Sequence, residues 1–346
     1  MNTEASLTNQ PSQAAADSCA DTAQDRVIAA NRRFHNQIAQ KYDRHESCAF
    51  QPYWQEMLEK DLETIQSCVS SPGRVLQCLD CGGGTGNFAL KMLARGSRVT
   101  VVDASEEMLA VLQQKARAAG HSPRLVHSSI ECFLEETCAP FDIVAFSSVL
   151  HHLYDYTSVV QQAAAVLRPG GILYTSQDPV VPKHPASTDV FNTLDITVGK
   201  IMFDPADLLP GIGRRLLKLL SRADSLFQRP VLTAGDLAEF HAGTGVDDAE
   251  IIRVLQMKGF SIVEHSRYPV GRTQALHSLN KRLRLLENFK IIARSDLRDM
   301  RGQRRGSAEG YRASPRNMNK DSGIREKNPK RTERPCRRLT DTQTQN

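Results

Sequence analysis

The sequence predicts an α/β protein built around a doubly wound, mostly parallel sheet, and two observations lead to this prediction. Short runs rich in β-branched residues alternate with segments of helical periodicity between residues 75 and 176. A glycine-rich segment at residues 79–88, LDCGGGTGNF, lies between the first of these runs and the first helical segment. Strand, helix and strand repeated in this order form right-handed crossovers, which make the strands parallel and cover both faces of the sheet.

Each strand is predicted from a short β-rich run that is bounded by turn or helix signals. Five such runs lie at residues 75–79, 98–102, 124–127, 141–146 and 172–176. Two more runs, at residues 260–265 and 289–293, follow a long insertion. We therefore expect seven strands.

The connecting helices are predicted from their capping residues. Ser105 is placed to cap the helix that follows the second strand. A helix over residues 157–167 should stop at the Pro-Gly-Gly turn of residues 169–171. Asp247 and Glu250 have the spacing of a capping box and mark the start of a further helix.

Composition divides the chain into segments, because its two ends contain almost no large apolar residues and cannot form a core. We expect a disordered N-terminal tail at 1–25, a helical cap at 26–70, a ligand-binding core at 71–180, a helical lid insertion at 181–245, the C-terminal part of the core sheet at 246–294 and a disordered basic tail at 295–346. An insertion as long as 181–245 should contain helices, since long structureless loops are rare inside compact domains.

The net charge of +5 is concentrated at one end of the chain. Residues 295–346 contain 14 Lys and Arg against 7 Asp and Glu, so the remaining residues carry a net charge of −2. A mildly acidic folded part argues against nucleic acid as a partner, although the basic tail could contact a polyanion.

Eight cysteines in 346 residues are too dilute for a disulfide scaffold, and Cys78 and Cys81 have no second pair that would complete a zinc site. We therefore expect reduced thiols, no metal and a cytoplasmic location. A secretory leader and a membrane span are not expected either, because the chain has no suitable apolar run.

The glycine-rich segment predicts a site for a small anionic or nucleoside-like ligand, because glycines let backbone N–H groups approach a ligand closely. No Lys follows at the P-loop spacing, and Cys81 and Asn87 break both registers of the dinucleotide motif. What remains is Asp-x-Gly-x-Gly-x-Gly from Asp80 to Gly86, with Asp103 closing the next strand. A carboxylate at that position can accept both hydroxyl hydrogen bonds of a ribose.

These motifs resemble the class I S-adenosylmethionine-dependent methyltransferases, well over residues 34–180 and loosely over 245–294. The resemblance implies a Rossmann-like, seven-stranded sheet whose last two strands form an antiparallel edge. It also implies S-adenosylmethionine as cofactor, with 71–180 as its binding core. It places Asp80, Gly82, Gly84 and Gly86 at the methionine portion, Asp103 at the ribose, Ser129 and Ile130 at the adenine, and Phe146, in the stretch FDIVAFSSVLHHLYD, beside the sulfonium. Tyr42, in FHNQIAQKYDR, would close on the methionine end, or else pack its ring on the core.

Candidate catalytic residues follow the fourth and fifth strands, at the edge of the sheet where α/β proteins bind ligands. His151 or His152 would serve as a general base if the acceptor carries a proton, and Asp178 would orient it. The structural alternative is that one imidazole packs under the cofactor, the other caps a turn and Asp178 is a turn residue. His241 would close the pocket from the lid side, or else be a solvated loop histidine.

We expect a methyltransferase that acts on a small or lipophilic molecule at an unresolved O, N or C atom. The alternatives are an RNA or DNA methyltransferase that uses the basic tail and a non-catalytic nucleoside-binding protein of the same fold. An amphipathic helix predicted at residues 212–227 has a basic face and an apolar face. It is either a lid helix on the core or a site of peripheral membrane contact.

Overall fold

The computed structural model of the protein describes residues 22–45, 50–69, 73–203, 241 and 244–296. The helices are α1 (Ala23–Ile38), α2 (Tyr42–His45), α3 (Pro52–Cys68), α4 (Asn87–Ala94), α5 (Glu106–Ala118), α6 (Ile130–Glu136), α7 (Tyr156–Ala165), α8 (Pro185–Phe203), α9 (Asp248–Met257) and α10 (Gln274–Leu283), with 3-10 turns at Ala39–Lys41 and Leu150–His152. The strands are β1 (Gln77–Cys81), β2 (Arg98–Asp103), β3 (Arg124–His127), β4 (Phe141–Ser147), β5 (Leu167–Pro179), β6 (Phe260–Pro269) and β7 (Glu287–Ser295).

The seven strands form one sheet in the order β3-β2-β1-β4-β5-β7-β6. Neighbours from β3 to β5 pair in parallel, whereas β7 runs antiparallel to both β5 and β6. The predicted seven-stranded, mostly parallel sheet with an antiparallel edge is therefore confirmed. The strand order reverses between β1 and β4, and ligands of open α/β sheets bind at the carboxyl ends of strands on either side of such a reversal.

Apolar side chains form one core on each face of the sheet, because successive residues of a strand point to opposite faces. Leu79 and Phe146 belong to the core beneath α6, α7 and α9. Cys78 and Tyr174 belong to the opposite core, beneath α3, α4 and α5. The sheet is thus buried on both faces, as the crossover pattern predicts.

Several predicted boundaries are corrected by the structure. The N-terminal tail ends earlier than residue 25, because Thr22 caps α1 in a capping box with Asp25. The Pro-Gly-Gly segment is not a turn before the fifth strand but part of β5, which starts at Leu167 and pairs with β4 through a register shift. Ser295 belongs to β7 and not to the C-terminal tail.

Other predictions fall partly or wholly outside the described residues. Within the insertion the structure describes α8, and the amphipathic helix predicted at 212–227 lies outside the described residues. The same holds for residues 1–21 and 297–346. None of the described helices is long and apolar enough to cross a membrane.

The described cysteines do not all match the expectation of reduced thiols. Cys68, Cys78, Cys81 and Cys132 are free, whereas Cys138 is disulfide-bonded. Burial raises the pKa of the Cys78 thiol to about 12. A thiol held neutral in this way behaves as a small apolar side chain and not as a nucleophile.

A buried charged cluster joins α3 to β5 and β7. The Lys290 ammonium contacts the Asp61 carboxylate and lies 2.8 Å from Glu264. The Tyr174 hydroxyl lies 2.9 Å from Asp61 Oδ2, and Asp61 is only 1% exposed. Because Asp61 and Lys290 are shielded from water, removing one of the two charges should destabilise the protein far more than breaking a surface ion pair would.

Replacing Lys290 with Met should lower the free energy of unfolding by about 3 kcal/mol, because Asp61 would remain buried without its charged partner. Urea unfolding can be followed through Trp54, the single tryptophan, which is buried in α3. Lys60→Met is the matched control, since it removes an exposed ion pair with Glu56 on the same helix and should change stability by less than about 0.5 kcal/mol. Equal losses in the two variants would contradict a special contribution from the buried cluster.

Candidate active site

The glycine-rich segment forms a tight loop between β1 and α4. Gly82, Gly84 and Gly86 have positive φ angles of 66°, 53° and 93°, a region that side chains rarely allow. A Cβ atom at Gly82 would lie 2.9 Å from Val149 Cγ2, so a side chain would also collide with the loop after β4. The loop backbone is thereby held close to the carboxyl ends of β1 and β4.

Asp103 connects this loop to the end of β2. Its Oδ2 accepts a hydrogen bond from Gly84 N–H, and its Oδ1 accepts one from Ser105 N–H, both at 2.8 Å. Burial raises the pKa of the carboxyl above its ordinary value, although the two N–H groups and His35 oppose the rise. Each oxygen keeps a further lone pair, and the residue lines a cavity, so both oxygens can accept hydroxyl hydrogen bonds.

The cavity is partly open to solvent and lies at the carboxyl edge of the sheet. Its wall combines the glycine loop, the end of β2, the start of α6, the loop after β4 and one face of α1. The lining residues are Ile28, Asn31, Arg32, His35, Tyr42, Gly82, Gly84, Asp103, Ala104, Ser105, Met108, Ser129, Ile130, Glu131, Ser148, Val149, His152 and Leu153. A concave wall of apolar side chains with a few polar groups is typical of small-molecule sites.

The N-terminal helices close the cavity from above the sheet. On α1 the lining residues are Ile28, Asn31, Arg32 and His35, which share one face because their spacing follows the helical repeat. Asn31 Nδ2 donates a hydrogen bond to the carbonyl of His152 at 2.9 Å. The cap is therefore attached to the loop after β4 and not only packed against it.

A second attachment, the Asp43 clasp, joins the cap to the glycine loop. It consists of Asp43 on α2, Thr85 in the loop and Lys115 on α5. Thr85 Oγ1 donates to Asp43 Oδ1 at 2.6 Å, and the Lys115 ammonium contacts the other carboxylate oxygen and lies 3.3 Å from the Thr85 carbonyl. Tyr42, adjacent to Asp43, is held at the cavity wall by this clasp.

The two adjacent histidines lie in different environments. His152 lines the cavity, and its ring packs edge-on against His35 with 5.1 Å between centroids. His151 is buried behind it and donates both its backbone N–H and its Nδ1–H to Asp178 Oδ1, at 3.1 and 2.8 Å. Asp178 is fully buried and holds the turn that presents His152.

His241 stands beside this turn and does not line the cavity. Its N–H donates to the carbonyl of His151 at 2.7 Å, and its ring packs against Tyr156. Burial lowers the pKa of His241. His241 is partly buried, and its backbone hydrogen bond fixes the segment that returns from the insertion next to His151.

The structure brings part of the predicted cofactor site to the cavity and leaves part outside. The lining includes Tyr42, Gly82, Gly84, Asp103, Ser129, Ile130 and His152. Asp80 lies beneath the loop, 1% exposed, and Phe146 is fully buried in the core, so neither is placed at the cavity wall. Gly86 caps α4, and Ser129 Oγ caps α6 by accepting the Cys132 N–H.

The face of α1 that lines the cavity was not predicted from the sequence. Asn31 and His35 lie upstream of the segment that carries the resemblance or at its very start. The available signal was the spacing of Ile28, Asn31, Arg32 and His35, which puts polar residues on the inner face of a cap helix. A helix that only packed on the core would present apolar residues there.

Comparison with known proteins supports a methyltransferase assignment for the central part of the chain. A family model described as a methyltransferase domain matches residues 79–175. The tRNA 5-carboxymethoxyuridine methyltransferase of Escherichia coli is 35% identical over 121 residues, which are 34% of this chain and 46% of that protein. A ubiquinone biosynthesis O-methyltransferase of Paracidovorax citrulli is 38% identical over 100 residues, 28% of this chain and 42% of that protein. The chain thus spans less than half the length of these curated relatives.

Solved structures are similar at low sequence identity. An N-methyltransferase of Bradyrhizobium japonicum with bound S-adenosyl-l-homocysteine has a TM-score of 0.48 and 15% identity, covering 78% of this chain and 100% of that one. The magnesium protoporphyrin IX methyltransferase of Synechocystis has a TM-score of 0.47 and 17% identity, covering 78% and 99%. Residues 79–175, which the family model matches, contain the glycine loop, Asp103, β4 and most of β5. These residues are therefore similar to a methyltransferase domain, in agreement with the motifs.

Proposed function

We propose that the protein transfers a methyl group from S-adenosylmethionine to a small or lipophilic molecule. The observation that carries the proposal is the position of Asp103, whose carboxylate lines a cavity that is also walled by the glycine loop. This arrangement offers a bidentate acceptor for ribose hydroxyls beside backbone that no side chain obstructs. The acceptor molecule and its reacting atom stay open within this proposal.

The remaining contacts are assigned by their place around the cavity. The loop Gly82–Gly86 and Tyr42 would hold the methionine portion, and Ser129 and Ile130 would flank the adenine. Ser129 Oγ is already engaged as a helix cap, so the adenine contact there is by packing and backbone. Asp80 and Phe146 would support the site from beneath without touching the cofactor.

Bound S-adenosylmethionine supplies an electrophilic methyl carbon on its sulfonium. The protein then has to exclude water and align the acceptor, which accounts for most of the rate gain in such transfers. His152 lines the cavity and is the better placed of the two adjacent histidines to take a proton from a hydroxyl acceptor. His151 and Asp178 would act by holding the turn in position.

The segment boundaries and cell location are also proposals. The core at 71–180 and the C-terminal strands would bind the cofactor, while the cap at 26–70 and the insertion at 181–245 would enclose the acceptor. We propose a cytoplasmic protein that works on a dissolved or membrane-extracted small molecule. Peripheral membrane contact through residues 212–227 is the alternative to a lid helix in that segment.

Methylation of RNA is a second candidate because one of the similar proteins is a tRNA methyltransferase. Incubating the protein with labelled S-adenosylmethionine and either total tRNA or a panel of hydroxyl-, amine- and thiol-bearing metabolites separates the two candidates. Label in the tRNA fraction alone would put RNA methylation first. Label in neither fraction, with the cofactor bound, would favour a non-catalytic nucleoside-binding protein.

The cofactor itself is the first thing to test. S-adenosylmethionine and S-adenosylhomocysteine should each raise the melting temperature, because a ligand that binds only the native state stabilises it. NAD and ATP should not, since the glycine spacing fits neither the dinucleotide nor the P-loop motif. A thermal-shift assay with these four ligands at equal concentration gives the answer, and a response to NAD alone would contradict the proposal.

Asp103→Ala should weaken S-adenosylhomocysteine binding by about 2 kcal/mol, roughly 30-fold, because two ribose hydroxyls would lose a charged acceptor. Isothermal titration calorimetry measures the loss. Glu106→Gln is the charge-matched control, since Glu106 is exposed on the first turn of α5 and does not line the cavity. Unchanged affinity in a folded Asp103→Ala protein would remove Asp103 from the site.

Asp80 makes the stability of the domain depend on pH. Burial raises the pKa of Asp80 from 3.8 to about 8, and the nearby charge of Asp103 is the second cause of the rise. A hydrogen bond from the Ala89 backbone opposes it. An unfolded chain titrates this carboxyl near its ordinary value. Between about pH 4 and pH 8 the native state therefore binds one more proton than the unfolded state, and the free energy of unfolding falls as the pH rises.

Asp80→Asn removes this titration and keeps the shape of the protonated carboxyl. From pH 5 to pH 7.5 the wild-type protein should lose up to about 1.4 kcal/mol per pH unit relative to the variant. Urea unfolding at five pH values measures the difference, with Glu106→Gln again as the control. Parallel pH curves for the wild-type and Asp80→Asn proteins would show that Asp80 is ionised in the native state.

A further inference from the structure

The inner face of α1 carries two hydrogen-bond acceptors that have no partner among the described residues. His35 Nδ1 lies 2.9 Å from the backbone carbonyl of Asn31. A carbonyl only accepts, so Nδ1 carries the hydrogen, and in the neutral ring Nε2 is an acceptor. Within the described part of the chain, the Nε2 atom of His35 has no hydrogen-bond partner.

Asn31 provides the second acceptor, one turn before His35. Its Nδ2 donates to the carbonyl of His152, which fixes the orientation of the amide. Its Oδ1 is buried and, among the described residues, has no partner. A buried acceptor left unpaired is unfavourable. Because Asn31 also lines the cavity, a ligand that supplies a donor to this amide would remove the cost.

The cavity wall also contains two acidic residues, Asp103 and Glu131. Asp103 accepts two backbone N–H bonds and faces the ribose position assigned above. Glu131 follows Ser129 and Ile130 at the opposite end. A bound S-adenosyl group also carries an ammonium on its amino acid portion, which has three donors and no acceptor.

We propose that Asn31 Oδ1 and His35 Nε2 accept hydrogen bonds from the amino group of the bound S-adenosyl cofactor. This inference rests on the proposed function, because it takes the cavity as the cofactor site. It makes the cap helix a part of the cofactor site and not only a cover. The Asn31–His152 hydrogen bond then connects the amino group to the turn that presents His152.

Calorimetric titration with two probes tests the assignment without any turnover. S-adenosylhomocysteine contains the amino group, and 5′-methylthioadenosine lacks the whole amino acid portion. Asn31→Ala and His35→Phe should each weaken S-adenosylhomocysteine binding about five- to tenfold and leave 5′-methylthioadenosine binding unchanged. His35→Gln places an amide oxygen near the position of Nε2 and should return the affinity to within about threefold of wild type.

Asn36→Ala is the matched control, because Asn36 lies on the same helix, also has a buried Oδ1 without a partner, and does not line the cavity. Its affinity for both probes should equal that of the wild type. Unchanged S-adenosylhomocysteine binding in both Asn31→Ala and His35→Phe would overturn the inference while the proposed function stands. Equal losses for both probes would also overturn it, by moving the contact to the adenosine. A wild-type protein that binds neither probe would instead refute the proposed function.

Discussion

The close approach of the glycine loop to its neighbours is the constraint on which the rest of the site depends. Gly82 N–H donates to the Val102 carbonyl at 2.7 Å, and Gly84 N–H donates to Asp103. The turn needs backbone angles that side chains disfavour and space that Val149 would deny to a Cβ. With the loop in this position, Asp103 faces the cavity and Thr85 meets Asp43 of the cap. Moving the loop would therefore alter the ligand site and break one of the two attachments of the cap.

Much of the fold could be predicted because strong local signals agree with the topology. β3 and the N-caps Ser105 and Asp247 are where the sequence predicts them. The strand ends were less accurate, because hydrogen bonding continues wherever a neighbour is available: β5 extends through the Pro-Gly-Gly segment along β4 and β7. α6 has only seven residues, too few for a clear helical repeat. α10 was not predicted although Thr273 caps it and its apolar residues lie on one face.

Site residues could be predicted where the backbone geometry requires a particular residue type. They could not be predicted where the direction of a side chain determines whether it reaches the cavity. Glycines and a strand-end carboxylate are required by the chemistry of the loop, so Gly82, Gly84 and Asp103 were found. His151 and His152 are identical in the sequence, yet a 3-10 turn sends one ring to the cavity and the other to Asp178. Only the packing of the turn determines which ring faces the ligand. His35 was missed because it reaches the site through the docking of a helix that precedes the sheet.

The position of β7 has a consequence for the order in which the molecule assembles. β6 pairs within the sheet only with β7, and β7 is the last described strand of the chain. During synthesis the parallel strands from β1 to β5 can associate as they emerge, since chains fold from the N-terminus onward. β6 must wait with two unpaired edges until residues 287–295 arrive and insert between it and β5. The late strand thus completes two ladders at once, and the nascent chain exposes an open sheet edge until then.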